Sequence, residues 1–168
     1  SIMQNLMLSD EFKGLRNNVQ IELTAEGLRI QIIEGGDSSF FESGSSRMSP
    51  TGEAVLGLIA QEVSKLPNRI IYEGHTDASG SANLYGYSNW DLGADRANFT
   101  RKVMLRNGVR GSQVKEVRSY GSTKPLYPDK PNDPHNRRVS ILVLNDYDYV
   151  LEHNLLDPSF MGSTTSSD

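Results

Sequence analysis

The stretch "NRRVSILVL" at 136–144 restricts the fold more than any other feature of the sequence. Side chains alternate between the two faces of a strand, so Val139, Ile141 and Val143 point one way. Leu142 and Leu144 point the other way, which makes both faces apolar. Such a strand needs cover on both sides. We therefore expect it at the centre of a sheet.

A second stretch, "VQIELTAEGLRIQII" at 19–33, alternates on both sides of its "TAEG" turn and predicts a β-hairpin. The apolar positions are Val19, Ile21, Leu23, Leu28, Ile30 and Ile32. The stretch that follows, 35–47, is rich in Gly and Ser but holds two adjacent phenylalanines, Phe40 and Phe41. It is typical of a loop closed by an aromatic plug.

Two helices and two more strands lie between the hairpin and the last strand. Ser49 and Pro50 suit the N-cap and first position of a helix that ends near Pro67. A second helix is predicted from Asn89 to Gly108. Strands are predicted in "RIIYEG" at 69–74 and "VKEVRSYG" at 114–121. This order predicts an α/β (α+β) two-layer sandwich, with helices packed on a mixed sheet of four to five strands.

Length and composition limit the organisation of the chain and its partners. Its 168 residues suit one domain, predicted at 18–150, with an amphipathic lead-in at 1–17 and a flexible small-polar tail at 151–168. A formal net charge of −4 and no basic stripe argue against nucleic-acid binding. Without cysteine the chain has no disulfide or thiolate metal site.

Arg96 interrupts an apolar stripe on the second helix, which also carries Leu92, Phe99 and Val103 at helical spacing. Burying an unpaired guanidinium is costly, so Arg96 must reach water, a protein carboxylate or a ligand anion. A purely structural role is an open alternative, because arginine readily extends along apolar neighbours to a nearby carboxylate.

Asp77 lies on the loop "EGHTDASG" at 73–80, between a predicted strand and the helix of Arg96. In open α/β sheets, such loops meet the following helix at the carboxyl end of the strand, where ligands commonly bind. One anion and one cation with room between them complement a zwitterion such as an amino-acid head group. The pair Asp77 and Arg96 therefore suggests a ligand with both charges.

Three spaced motifs, "GHTD" at 74–77, "NWDLGADRA" at 89–97 and "NRRVSILVL" at 136–144, resemble the peptidoglycan-binding domain of the OmpA-like family. The resemblance covers about residues 48–146, with an "FxxGS" element at 41–45 upstream, and implies an OmpA-C-like fold. The variant "YSNWDLGADRA" is most similar to the periplasmic domains of flagellar stator proteins of the MotB and PomB type.

The family's ligand is the peptide stem of peptidoglycan, chiefly its diaminopimelate, which the resemblance places between Asp77 and Arg96. It implies further ligand-binding residues at Thr76, Asn89, Leu92, and Arg137 or Arg138. It implies binding without catalysis, cofactor or metal. Gly93 stands where the family usually has Ser.

A stator protein of this type implies a homodimer in the periplasm. It also implies a MotA-like stator subunit as partner, through an N-terminal inner-membrane helix outside these residues. The alternative within wall binding is a peptidoglycan-associated anchor of an outer-membrane protein or lipoprotein.

Two other functional classes are open alternatives. His75, Asp77 and His135 could imitate a two-histidine, one-carboxylate metal site of an enzyme. Exposed Tyr85 and Tyr87 would suit a dimerisation module, whereas we expect Trp90 to pack against the sheet.

Overall fold

The computed structural model describes residues 10, 17–35, 40–41, 45–80 and 82–145. That part of the chain forms five strands and two α-helices, in the expected order. Their bounds are β1 Val19–Leu23, β2 Gly27–Ile33, α1 Pro50–Val63, β3 Ile70–His75, α2 Asn89–Arg106, β4 Val114–Gly121 and β5 Arg138–Leu144. Apart from positions 10 and 17, the predicted lead-in at 1–17 and the tail at 151–168 lie outside the described residues.

The strands form one mixed sheet in the order β1, β2, β5, β3, β4. Strands β3 and β4 are parallel, and all other neighbours are antiparallel. Strand β5 is therefore the middle strand, as its two apolar faces predicted. The predicted two-layer sandwich with a mixed sheet is confirmed, with five strands.

One face of the sheet, here called the helix face, carries the main apolar core. Ile30 of β2, Tyr72 of β3 and Ile141 of β5 lie side by side on it and are fully buried. They pack with apolar residues of both helices and with the predicted aromatic plug: Phe40, Phe41, Val55, Ile59, Val63, Val103 and Met104. The core thus joins α1 and α2 to the same side of the sheet.

The opposite face, here called the polar face, combines a small apolar cluster with buried polar groups. Ile71, Leu142 and Leu144 form the cluster and are almost fully buried. Further along the same face lie Glu73 and Ser140, which are register partners across β3 and β5. Strand β5 is thus buried on both faces. On the polar face, its apolar Leu142 and Leu144 are followed towards the start of the strand by the polar Ser140.

The predicted hairpin is confirmed as β1 and β2. Its turn is closed by hydrogen bonds between Thr24 and Gly27 in both directions, at 2.8 and 3.3 Å. Gly27 has φ +152°, and a Cβ there would lie 2.1 Å from the Val143 carbonyl oxygen. Leu23 ends the edge strand and is 87% exposed, so sharing a face with Val19 does not bury it.

Helix α2 lies unusually close to β3, because two glycines face each other. A Cβ on Gly74 would lie 1.9 Å from the Gly93 carbonyl oxygen. A Cβ on Gly93 would lie 2.4 Å from the Ser119 hydroxyl, which donates to the Trp90 carbonyl at 2.7 Å. Gly93 therefore makes room for Ser119, which explains why this chain tolerates glycine inside a helix.

Candidate functional site

The loop that follows β3 is held by backbone hydrogen bonds on two sides. The Thr76 amide donates to the Gly121 carbonyl at 2.8 Å, and the Ala78 amide donates to the Pro131 carbonyl at 2.9 Å. The Thr76 hydroxyl donates to the Asp77 carbonyl at 2.8 Å. Thr76 thus fixes the loop, and Asp77 between these bonds has a defined position.

The Asp77 carboxylate is fixed by its own neighbours, with a side chain only 7% exposed. One oxygen accepts from the Ser79 amide at 2.9 Å and from the Ser79 hydroxyl. The other oxygen accepts from a terminal nitrogen of Arg137 at 2.9 Å. Asp77 is therefore paired with Arg137. Ser79 was missed from the sequence, although Asp followed two positions later by Ser is a usual turn pattern.

Arg96 lies near the middle of α2 and is only 3% exposed. Its Nε donates to the Ser45 carbonyl at 3.0 Å, and its guanidinium carbon lies 4.9 Å from the centre of the Phe41 ring. One terminal nitrogen is buried without a hydrogen-bond partner in the described part of the chain. An unsatisfied buried donor is costly, so this nitrogen is the strongest sign of a missing acceptor.

Several charges act on Arg96 together. Burial holds the pKa of Arg96 below its usual value, and the positive charge of Arg137 adds to this effect. The carboxylates of Glu34 and Asp77 oppose it. Glu34 is already engaged, because it accepts from the amides of Phe40 and Phe41 at 2.8 and 2.6 Å. A bound carboxylate would therefore add an anion where two arginines share the available negative charge.

Helix α2 supplies the other predicted residues. Its N-cap is Ser88, which exchanges hydrogen bonds with Asp91, so the helix starts at Asn89 as expected. Asn89 is half-buried beside Gly80, and Leu92 is half-buried near the same end of the helix. These residues border the start of α2, next to the loop of Asp77.

Arg137, which precedes β5, and Arg138, its first residue, separate to opposite faces of the sheet. Arg137 reaches Asp77, whereas Arg138 lies on the polar face. There its Nε donates to Gln31 at 2.9 Å, and a terminal nitrogen donates to the Lys124 carbonyl at 2.8 Å. Of the two alternatives, only Arg137 joins Asp77 and Ser79, and these three residues are here called the Asp77 cluster. Successive side chains of an extended chain point to opposite faces, which keeps Arg138 away from it.

The structure does not bring His75, Asp77 and His135 together as a metal site. His75 stacks on Tyr120 on the polar face, with ring centroids 5.0 Å apart. His135 places Nδ1 2.6 Å from Asp133 and packs edge-on against Tyr127. Among the described residues, no three His, Asp or Glu side chains are grouped so that they could hold a metal ion.

The aromatic residues before and at the start of α2 are exposed to different degrees. Tyr85 is almost fully exposed, whereas the Tyr87 hydroxyl donates to Asp95 at 2.7 Å. The Trp90 ring lies against Gly121 at the end of β4 but stays 55% exposed. Trp90 therefore packs on the sheet edge with part of its ring only.

No helix in the described ranges is both long and apolar enough to cross a membrane.

The chain is similar to several known proteins. Motility protein B of Escherichia coli strain K12 is 40% identical over 148 residues, which are 85% of this chain and 47% of that protein. The peptidoglycan-associated lipoprotein of Rhizobium meliloti strain 1021 is 37% identical over 95 residues, or 56% of this chain and 51% of that protein. The chain spans about half the length of the curated relatives it matches.

A solved structure shares the fold. The periplasmic domain of Helicobacter pylori MotB is 28% identical, with a TM-score of 0.65 over 84% of this chain and 99% of that one. The OmpA family matches residues 40–138, a range that includes Asp77, Arg96 and Arg137. By this match and by its five-stranded mixed sheet, the chain belongs to the OmpA family.

Proposed function

We propose that the domain binds the peptide stem of peptidoglycan through a zwitterionic head group, chiefly that of diaminopimelate, held between Asp77 and Arg96. The single observation that carries this proposal is the Arg96 guanidinium. It is buried, and one terminal nitrogen lacks an acceptor among the described residues. A ligand carboxylate supplies that acceptor and matches the fork of the guanidinium.

The ammonium group of the ligand lies toward Asp77, whose carboxylate keeps acceptor capacity beyond its bonds to Ser79 and Arg137. The Ser45 carbonyl is the neutral acceptor that now satisfies Arg96 Nε. A charged carboxylate is a stronger acceptor than a carbonyl, and can therefore compete for this position. Thr76 and Asn89 hold the surrounding loop and helix start, and Leu92 offers an apolar wall.

Co-sedimentation with purified sacculi tests this assignment. Asp77→Asn and Arg96→Gln should each lose about 1.5 to 3 kcal/mol of binding, roughly 10- to 150-fold in Kd. Arg106→Gln is the matched control, because Arg106 is on the same helix with a side chain 64% exposed. Equal sedimentation of all four proteins, each with a native circular dichroism spectrum, would sink the proposed site.

The role of the charged head group is tested with soluble ligands. A stem peptide with free diaminopimelate should bind more tightly than the same peptide with the diaminopimelate carboxyl amidated. The difference should vanish in Arg96→Gln, because the free carboxylate then no longer meets a positively charged donor that favours it over the amide. The opposite order of affinities would show that Arg96 does not receive the carboxylate.

We further propose that this binding is non-catalytic and that it anchors a flagellar motor stator in the periplasm. The similarity to motility protein B supports this context. The stator proposal includes a homodimer and a MotA-like partner subunit, which is contacted through an inner-membrane helix of the parent protein. Incubating sacculi with the protein, with and without zinc, should release no soluble muropeptides; clear release would identify an enzyme.

The alternative is a peptidoglycan-associated anchor of an outer-membrane protein or lipoprotein. The similarity to the lipoprotein of Rhizobium meliloti supports it over the shared range. The gene sequence upstream of Ser1 distinguishes the two. One apolar helix carrying an Asp supports the stator, whereas a lipidation cysteine or barrel strands support the alternative.

A further inference from the structure

The polar face of the sheet contains a pocket of about 330 Å³ that is separate from the Asp77 cluster. Its volume lies at the small end of the range of ligand pockets. The residues that line it come from all five strands, from the β1–β2 turn and from the loop after β4: Glu22, Glu26, Arg29, Gln31, Glu73, His75, Tyr120, Lys124, Leu126, Arg138 and Ser140. None of these residues takes part in the wall-binding site proposed above, since Arg137 and not Arg138 pairs with Asp77.

Charge in this pocket is separated into two ends. The lining carries as many carboxylates as lysines and arginines, but the carboxylates are already paired. Glu73 accepts from Arg29 at 3.0 Å and from the Tyr120 hydroxyl at 3.1 Å. Glu22 also pairs with Arg29, at 3.4 Å. Glu26 lies 3.8 Å from a terminal nitrogen of Arg118. This end of the pocket is therefore internally neutralised.

The other end, here called the cationic end, consists of His75, Lys124, Arg138 and Ser140. Arg138 donates to neutral oxygens of Gln31, Lys124 and Asn136. The Lys124 ammonium lies 4.1 Å from the centre of the Tyr120 ring. Within the described ranges, neither cation makes an ion pair with a carboxylate.

Two buried polar atoms at the cationic end lack partners. His75 Nδ1 and Ser140 Oγ are inaccessible to water and have no hydrogen-bond partner within the structure described. His75 is the register partner of Arg138 across β3 and β5, which brings the ring and the guanidinium together. Burial, followed by the positive charges of Arg138, Lys124 and Arg29, lowers the pKa of His75 to about 3. Three positive charges therefore act on the ring, while Glu73 and Glu22 act on Arg138 from the other end of the pocket.

We propose that the cationic end is a second binding site, for the carboxylate or phosphate group of a small organic anion. The anion receives hydrogen bonds from Arg138 and Lys124, and Ser140 completes the cradle. His75 and Arg138 are register partners and line this second site. Asp77 and Arg137, which are close to them in sequence, form an ion pair in the other site.

The three histidines of the chain make the test direct, because side-chain NMR signals of ¹³C-labelled histidine report on each one. Inorganic phosphate and acetate are titrated separately into the full 168-residue chain. The His75 signals should shift in a saturable manner, while those of His135 and His153 stay in place. Preference for phosphate or for acetate identifies which anionic group the site takes. A soluble stem tetrapeptide forms a third arm, which shows whether a wall-derived carboxylate is the source.

Arg138→Gln should weaken anion binding about 10- to 100-fold, because a charge-assisted donor is lost. Lys124→Gln should also weaken it and is safe for folding, because Lys124 is exposed. Arg106→Gln is the control, because Arg106 is an exposed residue of α2 that lines neither site, and it should leave anion binding unchanged. No saturable shift at His75, or a shift that Lys124→Gln retains in full, would overturn the proposal.

Discussion

Arg137 and Arg138 are consecutive residues with opposite surroundings, and the contrast separates the two faces of the sheet. Arg137 is half-exposed and forms an ion pair with Asp77 at 2.9 Å. Arg138 is buried, and its hydrogen bonds go to an amide and two carbonyls. On the helix face, one terminal nitrogen of the buried Arg96 guanidinium has no acceptor among the described residues. On the polar face, the groups around Glu73 satisfy one another, whereas His75 Nδ1 and Ser140 Oγ have no hydrogen-bond partner in the described part of the chain.

The contrast indicates that charged groups have different roles on the two faces. An unsatisfied donor costs stability unless a ligand completes it, which agrees with the binding role proposed for Arg96. The network around Glu73 and Arg138 instead contributes to holding β2, β3 and β5 together. Removing a charge should therefore have opposite effects on stability on the two faces.

The largest expected effect concerns the close approach of α2 to β3. Gly74→Ala places a Cβ against the Gly93 backbone, which cannot move away like a side chain end. We expect a loss of about 3 kcal/mol or more in the free energy of unfolding, measured by urea denaturation. Gly111→Ala is the matched control, with no atom within 4 Å of its added Cβ, and should stay within about 0.5 kcal/mol of wild type. Equal stability of the two variants would contradict the close packing.

The second effect is the dependence of stability on pH through His75. Its folded pKa of about 3 lies below the ordinary value of 6.5, so the unfolded chain binds a proton that the folded chain does not. The stability that the neutral ring contributes is complete above pH 6.5 and is lost as pH falls from 6.5 towards 3. The slope from this group approaches about 1.4 kcal/mol per pH unit.

His75→Phe removes this titration but keeps the stacking on Tyr120. Urea denaturation of both proteins between pH 4 and 7 should show a shallower decline for the variant. Parallel curves would mean that the buried polar face does not exclude the charged imidazole.

The third effect compares the two buried arginines directly. Arg138→Met leaves three oxygens of the polar face without their donor and should cost about 2 to 3 kcal/mol. Arg96→Met loses one bond to the Ser45 carbonyl but also removes a buried cation, one nitrogen of which has no partner among the described residues. We expect its stability to lie between that of wild type and a gain of about 1 kcal/mol. Thermal unfolding of both variants measures the difference, and a larger loss for Arg96→Met would reverse the contrast.

The smallest effect concerns the support of Glu73 on the polar face. Tyr120→Phe removes the hydroxyl that donates to Glu73 at 3.1 Å and keeps the ring. A loss of about 1 kcal/mol is expected in urea denaturation. Tyr127→Phe is the control, because this ring is 44% exposed, and should change stability by no more than about 0.5 kcal/mol. Similar losses of unfolding free energy in the two variants would mean that the Tyr120 hydroxyl does not stabilise Glu73.

Much of the fold followed from local patterns. The apolar faces of β5 predicted its central place, and the alternation around "TAEG" predicted the hairpin. The N-cap predicted at Ser49 is confirmed, since its hydroxyl accepts from the Gly52 amide at 3.1 Å. The exposure of Leu23 was not predictable from alternation, because Leu23 ends the edge strand outside the core, whereas Val19 on the same strand is buried.

The candidate site was predictable only in part. Arg96 stood out because a cation in an apolar stripe conflicts with its surroundings, and that conflict can be read in one helix. The partners of Arg96 could not be read in the same way, since the Ser45 carbonyl and the Phe41 ring come from a distant loop. Nor did local pattern show that Asp77 pairs with Arg137.

The sequence alone determined which segments are helices and strands, which strand is central, and which arginine lies in an apolar face. Periodicity and capping are local properties, so they survive without knowledge of the fold. Only the tertiary structure decided that Arg137 meets Asp77 while Arg138 faces Gln31 and the pocket of the polar face. The reason is the register of β5 between β2 and β3, which sets the side of the sheet that each consecutive residue faces.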